Sequence, residues 1–140
     1  MSRQPSVTLV VPTRNGGAEF QYNLRAMLDQ RLDRSYEVLV IDSGSTDGTI
    51  EFLRRQPVRL IQIPAGDFNH GLTRALAVTE ARGDIVVFTV QDATPVDRQW
   101  MQPLVNALDD PRVAGAYSRQ LPRRDEIGRA SCRERVCYAV

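Results

Sequence analysis

The chain has no lysine, and all 18 of its basic residues are Arg. That excludes a Lys Schiff base and the Lys of a phosphate-binding P-loop. Cysteine is almost as scarce. Cys132 and Cys137 both fall in the last nine residues, so the rest of the chain carries neither a disulfide framework nor a thiolate metal site. No apolar run approaches the roughly 20 residues that cross a bilayer, and the first six residues lack the apolar region of a signal peptide. These absences predict a cytoplasmic domain with no transmembrane segment. Charge of one sign is missing as well: 18 basic against 17 acidic residues leave +1. No single-signed field is available to attract nucleic acid or an anionic membrane surface. At 140 residues and 42% hydrophobic, the chain has material for one core rather than two.

The hydrophobic pattern alternates between two kinds of segment. VTLVV at residues 7–11, VLVI at 38–41 and IVVF at 85–88 are short β-branched runs that read as strands buried on both faces. The run 58–63 before Pro64 is a fourth apolar stretch, and 113–117 is one more candidate strand. Phe20, Leu24, Met27 and Leu28 recur at helical spacing, and a shorter helix is predicted over 50–54. Leu72, Ala75, Leu76 and Thr79 form another stripe, with Gly83 as its predicted stop. Trp100, Leu104 and Leu108 mark a last helix, with Pro103 in its first turn or at a kink. Trp100, the methionines and the aromatics fit these stripes and are read as core. Strands alternating with helices predict an α/β fold with a parallel sheet.

In such a sheet, ligands bind beyond the carboxyl ends of the strands. Those ends carry Pro12-Thr13-Arg14-Asn15-Gly16-Gly17, then Asp42-Ser43-Gly44-Ser45-Thr46-Asp47-Gly48-Thr49, then Gln91-Asp92-Ala93. Neither glycine cluster has the spacing of a dinucleotide fingerprint or a P-loop. A loop with Asp42 and Asp47 repels a bare phosphate unless a cation intervenes. Asp42 is suited to accept hydrogen bonds from a base or a ribose; the alternative is that Asp47-Gly48 is turn chemistry and Asp42 a cap. Asp92 is a candidate ligand for Mg or Mn, with diphosphate oxygens completing the shell, or else a cap for the turn at 93–95. The lone His70 opens a helical stretch in which Arg74 can face a diphosphate. A structural role for His70 is the simpler reading, a catalytic one the alternative.

Residues 127–136, IGRASCRERV, match codon by codon the conceptual translation of a common short-read sequencing adapter. Residues 127–140 are therefore read as an artefactual tail outside the fold, and the natural protein as longer. The composition break at Leu121-Pro122-Arg123-Arg124 precedes it. Residues 1–126 are expected to form one unit.

Four stretches, VTLVVPTRNGG, YEVLVIDSGSTDGT, FNHGLTRALAVTEARGDIVVFTVQDATP and DPRVAGAYSRQLPR, occur in the order in which they appear in the family 2 glycosyltransferases, which the chain resembles from about Val7 to Arg124. The resemblance implies the GT-A fold, a mostly parallel Rossmann-like sheet flanked by helices, of which residues 1–126 are the donor-binding, amino-terminal half. It implies that Pro12, Thr13, Arg14 and Asn15 line the nucleotide pocket, that Asp42 binds the base, and that Gly71 and Arg74 close over the donor. Gln91 and Asp92 would meet the donor at the position of the family's D-x-D-like motif. Asp92 is the metal ligand there, with Gln91 and Ala93 in place of the flanking acids. The Q-D-A-T-P variant, with F-N-H-G-x-T-R and A-G-A-Y-x-R-Q-L-P, is most similar to bacterial rhamnosyltransferases and implies dTDP-L-rhamnose as donor.

The chemistry implied is inverting displacement at the anomeric carbon by a hydroxyl of a saccharide or lipid-linked acceptor, at the inner face of the membrane if the acceptor is a lipid. Mg or Mn and Arg74 stabilise the departing nucleoside diphosphate. The family's general base lies beyond the resembling stretch, so no residue here is named for it. Two other readings remain: a non-catalytic nucleotide-binding fragment, and a sugar nucleotidyltransferase, whose Gly-rich, Lys-containing loop residues 12–17 do not match.

Overall fold

The computed structural model describes residues 5–119 and, by backbone alone, 138–139. Strand β1 (Val7–Thr13) is the centre of the sheet. It pairs in parallel with β2 (Tyr36–Asp42) on one side and β4 (Ile85–Phe88) on the other, and β2 pairs in parallel with β3 (Arg59–Gln62). A central parallel strand is covered on both faces, which is why 7–11 is continuously buried and, Thr8 apart, apolar instead of alternating. Two-residue strands β5 (Ala116–Tyr117) and β6 (Tyr138–Ala139) extend the sheet antiparallel beyond β4, giving the order β3-β2-β1-β4-β6-β5. The candidate strand at 113–117 thus shrinks to its last two residues. Tyr138–Ala139 falls within the segment read from the sequence as tail. The rest of that segment, with Cys132, Cys137 and the break at 121–124, lies outside the described residues.

The alternation of side chains along β1 sorts the core into two layers. Val7, Leu9 and Val11 point to the face covered by α1 (Gly17–Leu28), α2 (Thr49–Leu53) and α4 (Met101–Ala107), where Phe20, Leu24, Met27, Leu53, Met101 and Leu104 pack on them. Val10 points to the other face with Leu39, Ile41, Val86 and Phe88, under Ala77 of α3 (His70–Glu80). The chain runs outward from β1 to β3 and then returns across the sheet to β4. With right-handed crossovers, that reversal puts α3 on the opposite face from α1 and α2. Pro103 is the third residue of α4, where its missing N–H removes no helical hydrogen bond.

Two expectations are corrected. Leu72, Ala75, Leu76 and Thr79 were the predicted core stripe of α3, but the buried residues are Thr73 and Ala77, and Leu72 is 70% exposed. Thr73 and Ala77 are small, so the helix approaches the sheet closely through residues that hydrophobic periodicity scores weakly. Gly83 is not the stop of that helix, which ends at Glu80. It is where the chain crosses β1: a Cβ there would stand 2.6 Å from the carbonyl carbon of Val7 and 2.7 Å from the nitrogen of Thr8. Only glycine permits that approach.

Candidate functional site

Three loops leave the carboxyl ends of β1, β2 and β4 side by side, because β1 lies between the other two. This is the place where strand order reverses and a crevice opens. The first two loops are laced together. The Asn15 N–H donates to Ser45 Oγ at 2.8 Å, and Asn15 Oδ1 accepts from the Thr46 N–H at 2.8 Å. Asn15 holds φ +46°, a left-handed conformation that asparagine tolerates better than most residues. The Asp47 carboxylate accepts from the Gly17 N–H, at the start of α1, and from the N–H and hydroxyl of Thr49, at the start of α2. The hydrogen bond from the Thr49 hydroxyl, more than any other influence, holds the Asp47 carboxyl below its ordinary range.

Asp42 is fully buried, with Oδ1 accepting from the N–H groups of Gly44 (3.0 Å) and Ser45 (2.9 Å) and Oδ2 accepting from the Ser45 hydroxyl. The donors of its own loop occupy the Asp42 carboxylate. Both acidic side chains of the β2 loop are thus turned into the loops, and their repulsion toward a phosphate is correspondingly reduced.

The third loop is tied to the first. Gln91 Oε1 accepts from the Thr13 hydroxyl at 2.8 Å and from the Arg14 N–H at 2.9 Å. An acid at this position could accept the same bonds, but the amide does so without adding negative charge.

Between these loops and the first turn of α3 lies a cavity of about 340 Å³. β1 and its loop contribute Pro12, Thr13 and Arg14; the β2 loop gives Ser43; the end of β4 gives Val90 and Gln91; and the α3 side gives Phe68, His70, Thr73 and Arg74. The chargeable side chains lining it are Arg14, Arg74 and His70, with no carboxylate among them. Apolar walls around cationic groups suit a ligand with a flat neutral part and an anionic part. Asn69 caps α3, its Oδ1 accepting from the N–H groups of Gly71 and Leu72, so those two donors are occupied. The His70 ring stands edge-on to Phe68 at 4.9 Å between centroids. The Thr73 hydroxyl is buried with no hydrogen-bond partner among the described residues.

Of the residues singled out from the sequence, Pro12, Thr13, Arg14, Arg74 and Gln91 come together around the cavity, joined by His70. Asn15, Asp42, Gly71 and Asp92 are not among its lining residues. Asn15 and Asp42 shape the loops, and Gly71 sits in the capped first turn of α3. Ser43, Phe68, Thr73 and Val90 were missed. Each is next to a singled-out residue or two positions from one, and Phe68 and Thr73 also belong to the F-N-H-G-x-T-R stretch. Asp92 follows Gln91 in the third loop and is half-buried. No group of three or more His, Cys, Asp or Glu side chains with metal-binding geometry occurs among the described residues. A hard divalent cation here would be held by Asp92 with phosphate oxygens and water completing the shell, a donor set that suits Mg or Mn. No helix among the described residues is long and apolar enough to cross a membrane.

Comparison with known proteins agrees with this arrangement. The family model described as glycosyl transferase family 2 matches residues 8–136. The O-antigen chain rhamnosyltransferase RfbN of Salmonella typhimurium is 36% identical over 121 residues, covering 85% of this chain and 38% of that protein. The O-antigen chain rhamnosyltransferase WbaN of Salmonella anatum is 34% identical over 122 residues, covering 86% and 39%. The chain therefore spans about two fifths of the length of these relatives. Among solved structures, the mannosyltransferase PcManGT from Pyrobaculum calidifontis, in complex with GDP-Man and Mn2+, superposes with a TM-score of 0.71 at 30% identity, covering 88% of this chain and 38% of its own. The four parallel strands, their flanking helices and this superposition identify the architecture as GT-A, and the chain belongs to the glycosyl transferase family 2.

Proposed function

We propose that residues 1–126 are the donor-binding part of an inverting glycosyltransferase that transfers a sugar from a nucleoside diphosphate to an acceptor hydroxyl. The observation that carries this reading is the cavity at the carboxyl ends of β1 and β4, whose chargeable lining is Arg14, Arg74 and His70 with no carboxylate. Pro12, Val90 and Phe68 offer apolar surface to a base or sugar face, and Arg14 and Arg74 offer guanidinium N–H groups to a diphosphate. Asp42 and Asn15 act by fixing the loops. Asp92 holds a divalent cation, Mg or Mn, which adds charge stabilisation to the leaving diphosphate when bound. The mannosyltransferase with Mn2+ supports that assignment.

In the reaction, the bond from the anomeric carbon to the diphosphate oxygen breaks and a bond to the acceptor oxygen forms. The acceptor proton passes to a carboxylate base, for which no described residue is assigned. Arg74 and Arg14 stabilise the negative charge that grows on the diphosphate as it departs. RfbN and WbaN, with the FNHGLTR and QDATP stretches, favour L-rhamnose delivered as dTDP-L-rhamnose. The acceptor is then a saccharide or lipid-linked saccharide, glycosylated in the cytoplasm at the inner face of the membrane. The adapter-like residues 127–136 support placing the boundary of the unit at 126, while the family match to residue 136 and the pairing of Tyr138–Ala139 with β4 run past that boundary.

Calorimetric titration with dTDP-L-rhamnose and with dTDP, with and without Mn2+, tests the reading. Arg74→Ala is expected to weaken binding of both about tenfold, on the order of the loss of one charge-assisted hydrogen bond. Asp92→Asn is expected to abolish the gain produced by Mn2+ alone. Absence of dTDP binding, or affinity indifferent to Arg74, would sink the proposal.

A further inference from the structure

Asn23 interrupts the apolar stripe of α1. It is 0% exposed, between Phe20 and Leu24 on the face that packs on the sheet, where a leucine would extend the core. Burying an amide is unfavourable unless its polar atoms are bonded, so such a residue needs partners. Those of Asn23 are in the third loop, 68 and 71 residues away. Its Nδ2 donates to the Gln91 carbonyl at 3.0 Å, and its Oδ1 accepts from the Thr94 hydroxyl at 2.7 Å. The orientation of the amide follows from the partners, because a carbonyl can only accept.

Asp92 lies between these two anchors. The turn around it is closed by the Ala93 N–H donating to the Val90 carbonyl at 3.2 Å. On the other side, the Gln91 side chain is fixed to Thr13 and Arg14 at the end of β1. The loop is therefore held from below by α1 and from the side by β1. A cation site that lacks a cluster of three protein ligands among the described residues is sensitive to where its carboxylate stands.

We infer that Asn23 is a positioning residue: its buried amide, through Gln91 and Thr94, fixes the loop that presents Asp92 to a divalent cation and the donor diphosphate. This rests on the donor-binding reading above. Thr94 is exposed, so replacing it removes one anchor without opening a cavity in the core, although the buried Asn23 Oδ1 is left without that hydrogen bond.

The test uses the 140-residue chain, with Mn2+ titrated by electron paramagnetic resonance in the presence of saturating dTDP, dTDP titrated alone, and thermal unfolding recorded for each variant. Thr94→Val is expected to weaken Mn2+ binding about tenfold, the usual scale for losing a group that orients a metal ligand. Affinity for dTDP alone should stay at the unsubstituted value, the unfolding temperature should fall modestly because the buried Asn23 Oδ1 loses its partner, and Thr94→Ser should restore both Mn2+ binding and stability. Asn23→Ala should weaken Mn2+ binding in the same way, and combining it with Thr94→Val should cost less than the two separate losses together. Unchanged Mn2+ affinity in both single variants, while the parent chain binds Mn2+ with dTDP, would overturn the positioning role and leave the donor site standing. Failure of Thr94→Ser to restore binding, or a loss of dTDP affinity as large as the loss of Mn2+ affinity, would reduce Asn23 to a structural residue. A parent chain that binds no dTDP would remove the donor-binding reading and this inference with it.

Discussion

The two ends of the sheet use polar side chains in opposite ways. At the amino end, Glu37 accepts from the Thr8 hydroxyl (2.8 Å), from the Arg59 guanidinium (3.1 Å) and from the Arg82 N–H (3.1 Å). The Gly83 N–H donates to Thr8 Oγ1 at 2.9 Å, and Arg59 also reaches Glu80. Each of these groups is turned toward another part of the same chain. At the carboxyl end, Asp42, Asp47 and Gln91 are similarly occupied, but what they hold in place is an open cavity edged by Arg14, Arg74 and His70. Mutual satisfaction of polar groups gives stability at one end and a preformed site at the other, and the arginines lining the cavity make the difference.

The sharpest way to break the amino end is Gly83→Ala. Its methyl would meet the backbone of Val7 and Thr8, which cannot rotate away. A loss of about 3 kcal/mol, the upper end of the usual overpacking cost, is expected by urea denaturation. Any surviving folded fraction should keep normal dTDP affinity. Stability equal to that of the parent chain would show that the crossing is looser than 2.6 Å implies.

At the carboxyl end, Asp42→Ala should reverse that pattern. It deletes the acceptor for three donors of the β2 loop. Stability should fall by about 1–2 kcal/mol, while affinity for a nucleoside diphosphate sugar falls tenfold or more because the loop beside Ser43 loses its form. Calorimetry finding full affinity would separate the loop from the site.

The smallest effect is expected at Asp47. Its folded-state carboxyl titrates below the ordinary value, first because of the Thr49 hydroxyl and despite some opposing desolvation. A depressed carboxylate stabilises the fold above its unfolded pKa, near 3.9, and that contribution disappears as pH falls through the folded value. Asp47 is largely exposed, so the effect is slight. Asp47→Asn should flatten the fall in unfolding temperature below about pH 4, and an unaltered acid limb would assign that fall to other carboxylates.

Much of the fold was readable from the sequence because strands buried on both faces and one-sided helices leave opposite periodicities. Residues 7–11, 38–41 and 85–88 emerged as the strands they are, and Phe20, Leu24 and Met27 emerged as the packed stripe of α1. The site was readable in outline, since each singled-out loop leaves a strand at its carboxyl end. The packed face of α3 was not, because Thr73 and Ala77 score below Leu72 on any hydrophobic scale and yet are the residues small enough to lie against the sheet. Nor was the part played by Asn23, whose partners are about 70 residues away along the chain.

By itself, the order of residues determined which segments are strands and helices and which loops end up at one edge of the sheet, since both follow from local periodicity and the handedness of crossovers. It also carried the stretches that mark the chain as a family 2 glycosyltransferase. Only the tertiary structure decided which way Asp42 and Asp47 point, where Gly83 meets β1 and what Asn23 holds. Each of these depends on hydrogen bonds or close contacts between segments that folding alone brings together.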